Sequence, residues 1–469
     1  MGQNLVLNLL DHDRTVAVFN RTTSRTHDFV SGEASGRRVI PADDIATFVT
    51  SIARPRTILM MIKAGAPVDA QIDVLLPLLD EGDVVIDGGN SLFTDTERRF
   101  ERLQASGIHY VGAGISGGEE GARYGPSIMP GGDERAWPII EDMITAIAAS
   151  VGDEPMAAWI GPGGSGHYVK MVHNGIEYGD MQVIAEAYDI MTRGLGLAPE
   201  AMARHFHNWN EGKLDSYLIE ITANILAHGE PDGQPTIDRI LDAAGQKGTG
   251  KWTVIASMEE GMPVSLVGES VYARMVSALV DERAVAASRF DEAVDRTPFE
   301  EEDVVTDLHD ALYASKIVSY TQGFMLINAA SRDHGWGLDK GTIAGLWRAG
   351  CIIRSRFLGK ITAAYRSHPE LENLLLDEFF AGEIERAVPG WRRTVARAVT
   401  AGIPVPAYSS ALAFYDAYRS RRLPANLIQA QRDYFGAHTY ERTDRARGVW
   451  FHTDWTGQGG DVTSGTYDV

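Results

Sequence analysis

The first third of the chain alternates short, β-rich apolar runs with amphipathic stretches. Thr15–Asn20, Thr57–Ile62, Asp83–Asn90 and Ile108–Gly118 read as buried strands ending in loops, whereas Ala66–Leu79 and Asp95–Ser106 read as helices. Such alternation predicts a parallel, doubly wound α/β sheet over residues 1–164. Its ligand edge lies at the C-terminal strand ends, where Asn20-Arg21-Thr22, Lys63-Ala64-Gly65 and Gly88-Gly89-Asn90 fall. From Ser165 onward strand signals nearly vanish. Helical patterns run over Tyr168–Met191, Leu214–Leu226, Glu269–Val280, Asp307–Ala330 and Ile343–Tyr365, predicting a large all-α domain over residues 165–421. Residues 422–469 form a short C-terminal tail, polar and Gly-rich at its end, too small to bury a core and expected to dock on another surface.

Composition narrows the classes. The 469 residues carry 43 Lys+Arg against 64 Asp+Glu, a formal net charge of −21. That balance argues against nucleic acid and acidic membranes as partners, while leaving room for a local basic pocket. Cys351 is the only cysteine, which excludes an intrachain disulfide and fits a reducing cytoplasm. No apolar run reaches the ~18 residues of a membrane span. MGQNLVLNLLDHD at the start does not read as a secretory signal. The 13 histidines show no HExxH or other clustered spacing, so no metal is expected.

A dinucleotide-binding, Rossmann-like domain opens with a strand and a Gly-rich turn that lets backbone approach the pyrophosphate. Here Met1-Gly2-Gln3-Asn4 runs straight into a helical pattern. In such a fold Gly2 is the last glycine of the fingerprint, and a chance Met-Gly start is the alternative. The end of the next strand says more. An NAD site places a carboxylate there, and an NADP site a cation for the 2′-phosphate. Arg21 and Thr22 follow Asn20, with no acid from Ala17 to Thr26, so the predicted cofactor is NADP. The competing reading is a solvated surface arginine.

Lys170, His173, Asn174 and Glu177 stand at i, i+3, i+4 and i+7 and share one helical face. An exposed Lys/Glu ladder is the ordinary reading of such spacing. The neighbours Tyr168, Val169, Met171, Val172, Ile176 and Tyr178 leave little solvent face, so the polar stripe points at a cavity. A lysine base needs its pKa lowered and a glutamic acid donor needs its pKa raised.

Ser116-Gly117-Gly118 after a strand suits a carboxylate or a plain tight turn. Gly245–Lys251 satisfies GxxxxGK, yet Trp252 stands where a phosphate loop needs Ser or Thr, and Thr236–Ala244 before it reads as helix. A nucleotidase is therefore not expected. Lys247 and Thr249 still suit a phosphate monoester, to which Arg274, Arg432 and His438 can add charge.

Together, DGGNS (Asp87–Ser91), GISGGEEGARYGPSIMPGG (Gly114–Gly132), HYVKMVHNGIEYGDMQ (His167–Gln182) and GQKGTGKWT (Gly245–Thr253) resemble decarboxylating 6-phosphogluconate dehydrogenase. RAGCIIRSRFLGKI (Arg348–Ile361) and LIQAQRDYFGAHTYER (Leu427–Arg442) extend the resemblance over essentially the whole chain, to the long, dimeric, NADP-using form. The resemblance implies that Lys170 takes the proton from the substrate's C3 hydroxyl as hydride passes to NADP. It implies that Glu177 protonates C1 after carbon dioxide leaves. His173 and Asn174 orient hydroxyl and carboxylate, with Ser116, Gly117 and Gly118 on the carboxylate side. Tyr178, Lys247, Thr249 and Arg274 match the sugar-phosphate pocket. Arg432 and His438 match residues supplied by the other subunit of a homodimer. Asn20, Arg21 and Thr22 match the 2′-phosphate site; Met1, Gly2, Lys63, Ala64 and Asn90 lie along the cofactor, Asn90 also toward the substrate. The family has a strand and two further glycines before the position of Met1, so the expectation is a start internal to a longer protein. The competing functions are a related β-hydroxyacid dehydrogenase acting on a smaller acid, and an inactive binding protein.

Overall fold

The computed structural model describes residues 1–290, 294–299 and 303–457; the end of the Gly-rich tail, 458–469, lies outside them. The first part follows the order α1 (Gly2–Asp11), β1 (Val16–Phe19), α2 (Thr23–Ser31), β2 (Val39–Ala42), α3 (Ile45–Thr50), β3 (Thr57–Met60), α4 (Ala66–Leu75) and β4 (Val84–Asp87). It continues with α5 (Phe93–Gln104), β5 (His109–Ile115), α6 (Gly118–Tyr124), β6 (Ile128–Gly132), α7 (Trp137–Ile147) and a minimal hairpin, β7 (Ser150–Val151) and β8 (Glu154–Pro155). Local chemistry sets several boundaries. Asp44 accepts from Thr47 N at 2.8 Å to start α3, and Pro67 stands in the first turn of α4, where its missing N–H costs nothing.

The parallel strands β3, β4 and β5 are buried between two helical layers. Val84, Ile86, Val111 and Ala113 pack with Leu5 and Leu9 of α1 and Ile140, Ile144 and Ile147 of α7. Val85 and Tyr110 point the other way, onto Val68, Ile72 and Leu75 of α4 and Leu103 of α5. Two features correct the simple parallel sheet. β6 is antiparallel to β5, and β1 pairs in parallel only with β2, in a separate two-stranded sheet. β2, with its central Pro41, gave no strand signal, because proline demotes a strand pattern.

The helical part comprises α8 (Ser165–Asp189), α9 (Pro199–Asn210), α10 (Tyr217–Ala227), α11 (Thr249–Glu259), α12 (Ser265–Ser277), α13 (Val280–Arg289) and α14 (Val304–Asp333). After these come α15 (Lys340–Leu346), α16 (Leu358–Ser367), α17 (Glu378–Ala401) and α18 (Pro406–Tyr418). α8 and α14 pack against each other, apolar on nearly every side. Between them Lys316 pairs with Asp180, both fully buried, and the Tyr320 hydroxyl donates to the Ile353 carbonyl at 2.6 Å. Two sequence expectations fail here. Ile343–Tyr365 is not one helix: residues 347–357 leave the helical path, with Gly350 at φ +66°, and fold back to the α/β part, where Ser127 N donates to Gly350 O. Thr236–Ala244 forms only a short 3₁₀ turn, Thr236–Arg239, because Gly233, Pro235 and Gly245 bracket too short a run.

The chain divides into two compact units, Met1–Ala411 and Leu412–Val469. The second carries α19 (Ala425–Gly436) and the antiparallel pair β9 (Tyr440–Glu441) and β10 (Trp450–Phe451). Its organising residue is Asp433, the only buried side chain of α19. Its carboxylate accepts from Thr439 N, Thr453 N and Trp455 Nε1 and contacts His452 Nδ1, all within 3.0 Å. A buried acid that gathers donors replaces the apolar core this segment is too short to build.

Candidate active site

β5 delivers the chain to Ser116, and Gly117 and Gly118 follow with φ of +106° and +67°. A Cβ at Gly117 would stand 2.7 Å from the Gly350 carbonyl oxygen, so glycine is required both by its φ and by space. α8 then crosses β5 at close range. A Cβ at Gly114 would lie 2.3 Å from Lys170 Cβ, so glycine there sets how near the helix comes.

The polar stripe of α8 faces this junction. Lys170 is 5% exposed and His173 fully buried. Lys170 Nζ lies 3.3 Å from His173 Nδ1, which is 3.1 Å from Asn174 Oδ1. His173 Nε2 faces Ser116 Oγ at 3.3 Å, and Asn174 Nδ2 donates to Thr249 Oγ1 at 3.2 Å. Lys170, His173, Asn174, Ser116 and Thr249 thus form one connected group. Trp347 stands edge-on to the His173 ring at 5.5 Å, and Cys351 is buried close enough to Lys170 to couple to it electrostatically.

Burial sets the protonation states. It lowers the Lys170 pKa from its usual value, against the opposing pull of Glu177. It raises the Glu177 pKa, opposed by Lys170 and Arg274 and assisted by Asp180. Burial, then the Lys170 charge, holds His173 well below its ordinary range, so the imidazole is neutral. A lysine shifted toward the free amine and a glutamate shifted toward the acid make a complementary base and acid on one helix face. The Cys351 thiol is pushed up to about 12 by burial, which removes it as a nucleophile.

A cationic corner adjoins this group. The Arg274 guanidinium stacks 3.7 Å over the Tyr178 ring and donates to the Gly245 carbonyl at 2.9 Å. Lys247 is exposed in the same loop and has no ion-pair partner among the described residues. This corner offers two cations and the start of α11, the requirements of a phosphate monoester.

The cofactor candidates gather at the C-terminal ends of β1, β3 and β4. Asn20 accepts from Thr22 N at 2.9 Å, which shapes the turn that exposes Arg21. Lys63 and Asn90 are also exposed, and Ala64 is half-buried. Among the described residues Arg21 and Lys63 have no ion-pair partner, and the first turn of α1, after Met1 and Gly2, holds no acid. Unpaired cations and an acid-free helix start fit the phosphates of NADP. Arg432 and His438 lie in the second unit, where Arg432 donates to Gln429 Oε1 at 3.0 Å and the His438 ring stands edge-on to Phe435.

Sequence reasoning missed Trp347, Gly350 and Cys351, which wall the polar face of α8. Gly350 within an apolar run was the available signal for the break that brings them there. It also missed one cluster with metal-ligand chemistry, Glu260, Asp333 and His334.

Known proteins resemble this chain along its whole length. Residues 1–161 match the family model described as the NAD binding domain of 6-phosphogluconate dehydrogenase, and residues 166–455 match its C-terminal domain. The chain is 54% identical to "6-phosphogluconate dehydrogenase, decarboxylating 1" of Saccharomyces cerevisiae, over 100% of this chain and 98% of that protein. It is 55% identical to the Treponema pallidum enzyme, with the same shares covered. The human enzyme is 54% identical over 100% of this chain and 97% of its own. A structure of Plasmodium falciparum 6-phosphogluconate dehydrogenase, described in its apo form and in complex with NADP+ and with 6-phosphogluconate, superposes with a TM-score of 0.94. It is 43% identical and covers 97% of this chain and 98% of that one. The chain belongs to the decarboxylating 6-phosphogluconate dehydrogenase family.

Proposed function

We propose that the chain oxidises 6-phospho-D-gluconate with NADP and decarboxylates it to D-ribulose 5-phosphate. The observation that carries this reading is the α8 face, on which Lys170 and Glu177 are shifted toward free amine and neutral acid. NADP, when bound, supplies the hydride acceptor for the substrate's C3. Lys170 takes the proton of the C3 hydroxyl, which yields a ketone β to the carboxylate. That ketone accepts the electron pair released as carbon dioxide leaves, giving an enediol. Glu177 then delivers a proton to C1. His173, held neutral, hydrogen-bonds the hydroxyl without competing for its proton, and Asn174 orients the carboxylate toward Ser116, Gly117 and Gly118.

Tyr178, Lys247, Thr249 and Arg274 hold the 6-phosphate. This requirement favours the phosphorylated substrate over a smaller acid, for which two cations in one corner have no use. Arg21, with Asn20 and Thr22, takes the 2′-phosphate. Met1, Gly2, Lys63, Ala64 and Asn90 line the rest of the cofactor, and Asn90 also reaches the substrate.

In the same reading, residues 1–164 bind NADP, 165–421 bind substrate and dimerise, and 422–469 dock on a second copy of the chain. Arg432 and His438 then complete that copy's site. Support comes from the exposed Leu427, Ile428, Tyr434 and Phe435 of α19, an apolar face its own unit does not cover. Among the described residues no helix is long and apolar enough to cross a membrane. A cytoplasmic setting is supported by cysteine usage, since Cys351 is the only one in the chain.

The test follows nicotinamide absorbance with 6-phosphogluconate and NADP, with NAD in parallel and carbon dioxide collected. Equal yields of reduced cofactor and carbon dioxide with NADP are expected. Turnover of an unphosphorylated hydroxy acid in preference to 6-phosphogluconate would overturn the substrate assignment.

A further inference from the structure

Away from the catalytic face, the C-terminal ends of α11 and α14 meet α5 around a single imidazole. His334 caps α14, directly after Asp333, and Glu260 caps α11. One ligand atom from each of Glu260, Asp333 and His334 lies within 4.8 Å of the others. His334 Nε2 is 3.5 Å from Glu260 Oε1, close to the ~3.4 Å ligand-to-ligand edge of a tetrahedral zinc site with bonds of about 2.1 Å. The other ring nitrogen, Nδ1, faces Glu97 Oε1 of α5 at 3.9 Å. A carboxylate behind the imidazole is the usual support of a metal-bound histidine, because it fixes the ring and makes the ligating nitrogen more basic. Trp336 stacks on the ring at 4.4 Å and 12°, holding its plane.

A second, independent feature points to the same place. The Tyr168 hydroxyl is fully buried and has no hydrogen-bond partner among the described residues. Tyr168 lies beside the cluster. Its ring packs on Phe93 at 4.9 Å and on Trp336 at 5.2 Å, the two rings that also flank His334. Around one imidazole therefore stand Glu97, Glu260, Asp333 and an orphaned phenol, an excess of negative charge and lone pairs that one histidine does not neutralise.

We propose that Glu260, Asp333 and His334 bind a divalent cation of the zinc class, with Glu97 supporting His334 and the Tyr168 hydroxyl turned to the bound ion. One nitrogen with carboxylate oxygens favours Zn2+ or Co2+ over the all-oxygen preference of Mg2+. The ion takes no part in the oxidation. It ties α5, in the segment matching the NAD-binding domain, to α11 and α14 of the C-terminal domain.

Full-length protein stripped with a chelator is titrated with Zn2+ by calorimetry, and with Co2+ by its visible absorption. One saturable equivalent per chain is expected, with a tetrahedral Co2+ spectrum and a higher melting temperature. H334Q should abolish the spectrum, and E97Q should weaken binding about 10–100-fold. D333N alters an exposed side chain, so the fold is retained, and it should weaken binding at least about tenfold. Absence of saturable binding, or affinity in D333N and H334Q equal to wild type, overturns the proposal. So does Mg2+ competing at equal concentration.

Discussion

In the proposed reading one region of this protein is the substrate side and another the cofactor side, and the two are built in opposite ways. On the substrate side, α8 lies so close to β5 that Gly114 leaves no room for a Cβ, and Lys170, His173, Asn174, Ser116 and Thr249 contact one another in one largely buried group. On the cofactor side, Arg21 and Lys63 are exposed and unpaired among the described residues, and β1 belongs to a two-stranded sheet of its own. The difference follows from the chemistry each side serves. Proton transfer requires shifted pKa values, which only burial and fixed neighbours supply. Holding phosphate requires cations that are solvated until the ligand replaces water.

The largest effect should come from removing the base. K170M replaces a buried amine by a side chain of similar length, so the melting temperature should hold or rise, whereas kcat should fall by about 10²–10⁴-fold. A kcat within threefold of wild type would place the base elsewhere. R21A should act on the other side only, raising the KM for NADP about tenfold or more while leaving the KM for the sugar acid and for NAD nearly unchanged. A uniform loss with both nucleotides would mean that Arg21 does not read the 2′-phosphate.

Hydrogen exchange sharpens the comparison without mutation. Amides of β4, buried throughout in a four-stranded sheet, should exchange at least about tenfold more slowly than those of β1, which is only half-buried in a pair of strands. Equal protection would show that β1 is as firmly held as the rest.

The last test concerns α8 itself. Glu186, near its end, accepts from Ala407 N and Tyr408 N at 2.8 and 3.0 Å, and burial raises its pKa from 4.5 to about 7. The folded protein therefore holds this proton more tightly than the unfolded chain does. The resulting stability is fully present below pH 4.5 and is lost as pH rises to about 7, a change of roughly 3 kcal/mol at most. E186Q should flatten the urea-unfolding profile over that window.

Much of this was legible in the chain. The strands of the α/β half announced themselves through Val/Ile runs, and the buried polar face of α8 through the spacing of Lys170, His173, Asn174 and Glu177 on an otherwise apolar helix. What stayed hidden depends on distant partners. The separation of β1 from β3 is a tertiary outcome, Pro41 masked β2, and the loop around Gly350 read as helix because its apolar residues face the site instead of a core. The cluster at Glu260 and His334 joins helix ends far apart in sequence, which no local spacing reveals. Asp433 is the polar centre of the C-terminal unit, and nothing local in the polar tail marks it as such.

Whether one helix face supplies both proton transfers is read from the isotope content of the product. 6-Phosphogluconate and NADP are turned over in D₂O, and the configuration at C1 of the ribulose 5-phosphate is read by NMR, for wild type and for E177Q. One deuterium on a single face of C1 is expected with the wild-type protein, and slow turnover with deuterium on both faces with E177Q. A single configuration formed at the wild-type rate by E177Q would rule out Glu177 as the proton donor.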